Sequence, residues 1–79
     1  MKIRVNLYGT LGLRIPGYRH SEGIKVEVPD GATVKDLLTR LEISESEGAV
    51  VAIEGRIRKT KDKLPDGTRA LVFQTVHGG

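Results

Sequence analysis

The stretch VPDGATVKDLLTRL, residues 28–41, is where the hydrophobic pattern of the chain changes period. Pro29, Asp30 and Gly31 form a turn sequence. Thr33 follows as an N-cap whose hydroxyl can accept from a first-turn amide, and Asp36 completes a capping box at the positive end of the helix dipole. Val34, Leu37, Leu38 and Leu41 then recur at i, i+3, i+4 and i+7, which predicts a short amphipathic helix with one apolar stripe. Such a stripe needs an apolar surface to lie on.

The flanking segments supply it. KIRVNLY (2–8) alternates strictly, with Ile3, Val5 and Leu7 on one face and Lys2, Arg4, Asn6 and Tyr8 on the other. IKVEV (24–28) repeats the pattern, with Ile24, Val26 and Val28 inward. Between them, GTLGLRIPGYRHSEG (9–23) is rich in glycine and too long for a simple hairpin turn; it reads as a loop that extends the neighbouring strands at most briefly. After the polar SESEG, the β-branched AVVAIEG (49–55) reads as a third strand. LPDG (64–67) is a turn, and TRALVFQTV (68–76) is a last strand with Leu71 and Phe73 on one face and Ala70, Val72 and Val76 on the other. The alternation does not say which face the helix covers; Phe73 is expected in the core.

A helix packed on a mixed sheet follows from the need to bury both apolar faces. A right-handed crossover places the first and last strands in parallel at the centre. The expected class is α+β, a β-grasp (ubiquitin-like) fold with four to five strands and one main helix. It forms one domain over residues 1–79, with a flexible tail at about 76–79.

Composition narrows the function classes. Apolar residues make up 38% and charged residues 29% of 79 residues, a globular balance near the lower size limit for one core, with little interior for an enclosed active site. The absence of cysteine excludes disulfides, thiolate metal sites and a cysteine nucleophile. No apolar run approaches the ~18 residues of a membrane span and MKIRVNLYG lacks a signal-peptide core, so no membrane partner and a cytoplasmic location are expected. The net charge of +3 is concentrated in RIRKTKDK (56–63), where Arg56, Arg58, Lys59, Lys61 and Lys63 face Asp62 alone. No aromatic residue interleaves them for base stacking, which disfavours nucleic acid and favours a solvated basic loop or edge.

Catalytic sets are poorly supported. PDGAT lacks the glycines and lysine of a phosphate loop, and no base is identifiable beside Ser21, Ser44 or Ser46. His20 and His77 do not define a metal site and read as surface polar residues; Glu45 and Glu47 read as solvated loop charges. Attention passes to Gly78 and Gly79. Residues without a Cβ can pass through a narrow slot, and the group beyond them is an α-carboxylate, ionised at neutral pH with a pKa of about 3.5. ATP could activate it as an acyl-adenylate for attack by a sulfur nucleophile, with the catalytic residues supplied by a partner.

The whole chain resembles the ThiS/MoaD sulfur-carrier proteins in MKIRVNLYGTL, VPDGATVKDLLTRL, VVAIEGR, LPDGTRALVF and the closing Gly78-Gly79. The resemblance implies a carrier rather than an enzyme, acting as co-substrate or small subunit. An E1-like enzyme would adenylate Gly79, a sulfide or persulfide donor would convert it to a thiocarboxylate, and a sulfur-accepting synthase would take the sulfur for a molybdopterin, tungsten or thiamine cofactor. No cofactor is expected to be bound; ATP is used by the activating partner. Gly78 and His77 would thread the tail, although QTVHGG lacks the prolines common before the diglycine in the molybdopterin branch. Tyr8, Leu71, Phe73, Arg69, Arg58 and Lys59 are candidate partner contacts, the basic ones steering toward an acidic enzyme surface. Two alternatives stand beside this reading: a protein modifier conjugated to lysines through the same Gly79, and a β-grasp module that binds RNA or protein.

Overall fold

The predicted helix runs Val34–Arg40 (α1) in the computed structural model, which describes residues 1–74. Its capping box is complete: Asp36 N–H donates to Thr33 Oγ1 at 3.3 Å and Thr33 N–H donates to Asp36 Oδ2 at 2.8 Å. Two further first-turn amides are taken from outside the helix. Val34 N–H donates to Asp62 O at 2.9 Å and Lys35 N–H to Thr60 O at 3.0 Å. All four residues of the apolar stripe are buried, with Ala32 and Ile43 beside them.

Five strands form one sheet: β1 (Lys2–Leu7), β2 (Ile24–Glu27), β3 (Ala49–Ile53), β4 (Arg56–Arg58) and β5 (Arg69–Gln74), in the order β2-β1-β5-β3-β4. The β1–β5 pair is parallel and central, as expected; the other pairs are antiparallel. This is the β-grasp fold. Ile3, Val5 and Leu7 of β1, Val51 and Ile53 of β3, and Ala70 and Val72 of β5 face α1 and join Val34, Leu37 and Leu38 in the core. The helix therefore covers the Ala70/Val72 face.

Two expectations need correction. Phe73 is outside the core: it lies on the face opposite α1 and is half-buried there. The 9–23 segment does not extend the strands but opens with a 3₁₀ helix, Gly9–Arg14. There Leu11 alone is buried while Leu13 is 83% exposed, so the segment carries no amphipathic period. The basic stretch lies at the sheet edge, as expected, its residues Arg56–Arg58 forming β4, joined to β3 by Glu54 and Gly55.

Gly23 fixes how the 9–23 segment returns to β2. Its φ is +67°, and a Cβ there would stand 2.6 Å from the Val5 carbonyl oxygen. Only glycine fits both constraints.

Candidate functional site

The parallel pairing of β1 and β5 sets their C-terminal ends side by side, with Leu7 opposite Val72. Tyr8 follows at once, its N–H donating to Val72 O at 2.9 Å. On the face away from α1, the registers align Asn6, Leu71, Ala52 and Ile57 across the sheet; Phe73 sits beside Val50. Tyr8 meets Phe73 edge to face, ring centroids 5.5 Å apart, and meets the His20 ring likewise at 4.7 Å. Tyr8, Phe73, Val50 and Leu71 thus form an apolar patch on the C-terminal half of β5.

A basic row adjoins it. Lys25, Arg4 and Arg69 are register partners across β2, β1 and β5. Arg69 Nη1 donates to Asn6 Oδ1 at 3.0 Å, and Arg4 Nη1 donates to Glu22 O at 2.8 Å. Asn6 is only 3% exposed although it belongs to the open face, because residues 18–23 fold over it. Its Nδ2 donates to His20 O at 2.6 Å. Tyr18 completes this suture: its hydroxyl accepts from Leu7 N–H at 2.7 Å and donates to Leu7 O at 3.1 Å.

A second brace lies at the end of β5. Gln74 Nε2 donates to Glu47 O at 3.4 Å, and Thr10 Oγ1 lies 3.3 Å from Gln74 Oε1. Glu47 is ion-paired with Arg14 and accepts from Ser44 N–H, so it is not a free loop charge. The bond from Arg14 first, and that from Ser44 second, lower its carboxyl to about 2. The 3₁₀ helix and the 44–47 segment are thereby tied together beside β5.

Of the expected contacts, Tyr8, Leu71, Phe73 and Arg69 share the open face. Arg58 does not: its register partner is Val51, which faces the core, so it points to the helix side. Lys59 lies beyond β4 in a turn, where its N–H donates to Asp62 Oδ2 at 2.8 Å. Gly79, Gly78 and His77, with Thr75 and Val76 of the expected strand, lie outside the described residues. Sequence reasoning missed His20, Asn6 and Tyr18, whose roles depend on the return of the 9–23 segment over β1; no local pattern signals that.

No cluster of metal-ligating side chains occurs among the described residues, and no described helix is long and apolar enough to cross a membrane. A groove of about 420 Å³ lies between β2 and α1, with Ile24, Val26, Leu41, Lys25 and Arg40 in its walls. Its lining holds no hydroxyl, thiol or imidazole.

Solved structures share this architecture. Small archaeal modifier protein SAMP1 of Haloferax volcanii aligns over 100% of both chains at 19% identity with a TM-score of 0.73. A second structure of that protein aligns over 95% of this chain and 98% of its own, also at 19% and 0.73. A Pyrococcus furiosus protein assigned as molybdopterin converting factor subunit 1 aligns over 95% and 98%, at 21% identity and a TM-score of 0.71. At these identities the likeness is one of fold. No curated protein sequence matches the chain. The sequence profile of the ThiS family matches residues 16–79, from the loop before β2 through the diglycine, and the chain belongs to the ThiS family.

Proposed function

We propose that this protein carries sulfur on the α-carboxylate of Gly79. The observation that supports the reading is the family match, which runs through Gly78 and Gly79. The sheet contributes a rigid support: β5 is held on both sides, by β1 and β3, and by Gln74 at its end. The chain itself acts as a substrate rather than as a catalyst.

In the proposed cycle a carboxylate oxygen of Gly79 attacks the α-phosphorus of ATP in an E1-like partner, and pyrophosphate leaves. Hydrosulfide then adds to the acyl carbon and AMP departs, leaving a thiocarboxylate. A synthase accepts that sulfur for a molybdopterin-type or thiamine-type product. The apolar patch around Tyr8 and Phe73, bordered by Lys25, Arg4 and Arg69, is the surface the activating enzyme would cover. An apolar contact with an acidic rim complements it.

The test is intact mass spectrometry of the protein from its native cell. A mass gain equal to exchange of one oxygen for sulfur, lost on hydrolysis, is expected. A population carrying only the free carboxylate, under conditions where the cofactor pathway runs, would overturn the proposal. A second reading, conjugation to lysine, is favoured by the full-length match to a protein named as a modifier. Trypsin cuts this chain last after Arg69, so branched peptides carrying residues 70–79, ALVFQTVHGG, on a lysine would select it.

A further inference from the structure

We propose that the outer edge of β4 is a docking strand for an extended acidic segment of a partner protein, separate from the diglycine and from the Tyr8 face. Glu54 and Gly55 both have positive φ, +54° and +76°, the signature of a type I′ turn. The residues flanking such a turn, Ile53 and Arg56, form a hydrogen-bonded pair, and the pairs alternate from there. Val51 and Arg58 are the next bonded pair, so the N–H and C=O of Ile57 point away from β3. Among the described residues no strand lies beyond β4 to receive them.

Side chains set the chemistry of the occupant. Ile57 is 68% exposed on the open face, an apolar anchor beside the free backbone groups. Arg56 and Arg58 project to the other face, and Lys59, Lys61 and Lys63 follow, all three exposed. Among the described residues none of these five cations forms an ion pair. Arg58 Nε is buried without a hydrogen-bond partner among them, so that guanidinium already bears part of the desolvation cost of an ion pair. Strand addition with carboxylates flanking an aliphatic residue satisfies all of this. A second copy of the chain is disfavoured, because two such edges would set arginine against arginine. Single-stranded RNA is disfavoured because no aromatic residue stands in the 56–63 stretch.

The test is titration of the ¹⁵N-labelled full chain with an acetylated peptide of four Val-Glu repeats, followed by NMR. Shifts centred on Ile57 and its neighbours, slowed exchange of the Ile57 amide, and weakening with added salt are expected. Proline is tolerated at an edge position whose N–H faces solvent, so Ile57→Pro removes the donor while keeping the fold. It also removes the exposed anchor side chain, so binding should weaken by at least roughly three- to tenfold, the range expected for the hydrogen bond alone. Should Ile57→Pro unfold, the doubly reversed Arg56→Glu, Arg58→Glu chain carries the test, with binding reduced more than about tenfold by like-charge repulsion. Deleting Gly78 and Gly79 should leave the affinity unchanged, which separates this site from sulfur carriage. Shifts centred on Tyr8 or β2, unaltered binding by the charge-reversed chain, or tighter binding of an oligouridylate than of the peptide would overturn the proposal.

Discussion

Tyr8 and Phe73 meet edge to face across the parallel β1–β5 pair, their ring centroids 5.5 Å apart at 63°. They come from opposite ends of the chain, beside the C-terminal ends of β1 and β5. Their neighbours Leu7 and Val72 face the core, so the contact between the two rings belongs to the open face. Edge-to-face pairs contribute about 0.5–1.5 kcal/mol beyond area burial. A double-mutant cycle with Tyr8→Ala and Phe73→Ala, read by urea unfolding, should return a coupling in that range. Additive effects would show that the rings merely share a surface.

Asn6 joins the two halves of the open face, accepting from Arg69 and donating to the His20 carbonyl while almost fully buried. Replacing it with leucine keeps the bulk but leaves the His20 carbonyl and Arg69 without that partner. Leaving a buried polar group unsatisfied costs about 1–3 kcal/mol. Asn6→Leu should lower stability by that amount in denaturant titrations and broaden the amide signals of residues 18–23 in NMR spectra. A neutral substitution would show that water replaces the amide without loss.

The capping signals of Thr33 and Asp36 were legible because a capping box is local chemistry, decided within four consecutive residues. The apolar stripe and the strand alternation were legible for the same reason. Phe73 was misplaced because period-two alternation gives two faces without saying which one a helix covers; the register of Ala70 with Val5 and of Val72 with Val51 decides it. Asn6, Tyr18 and His20 were invisible because their side-chain bonds span at least eleven residues, except that between Tyr18 and His20. The 3₁₀ helix was missed because a single buried residue, Leu11, has no period to detect.

Thr33→Ala removes one half of the reciprocal cap and should cost about 1 kcal/mol. Asp36→Ala should cost a similar amount, and the double substitution less than the sum, since the two side chains also bond each other, Thr33 Oγ1 donating to Asp36 Oδ2 at 3.1 Å, and either change removes that bond. Val34 and Lys35 amides keep their Asp62 and Thr60 acceptors in all three chains, so the helix should persist by circular dichroism while the urea midpoint falls. Full additivity would mean the two bonds form independently.

Two glycines with left-handed φ separate strain from collision. Gly31, at φ +83°, has open space around a Cβ, so Gly31→Ala should cost only the left-handed penalty of about 1–2 kcal/mol. Gly23→Ala adds a methyl 2.6 Å from the Val5 carbonyl oxygen, next to the β1–β2 ladder. It should cost more than Gly31→Ala by thermal unfolding and should disturb the amides of Val5 and Ile24. Equal costs would show that the loop yields without strain at Val5.

The ion pair between Arg14 and Glu47 gives a pH signature with a defined sign. The folded carboxyl sits at about 2, below its ordinary value of 4.5, because Arg14 and then the Ser44 amide bond its charged form. A depressed carboxyl contributes stability that is fully present above the unfolded value and is lost as pH falls through the folded one. The contribution should therefore fade between about pH 4.5 and 2, with no dependence from this pair near neutrality. Both side chains reach solvent, so salt should screen the effect. Glu47→Gln should flatten the acid limb of the stability curve relative to the parent chain, and added salt should shrink the difference. An identical acid limb in the two chains would show that the pair does not persist in solution, and that Gln74 holds the end of β5 without it.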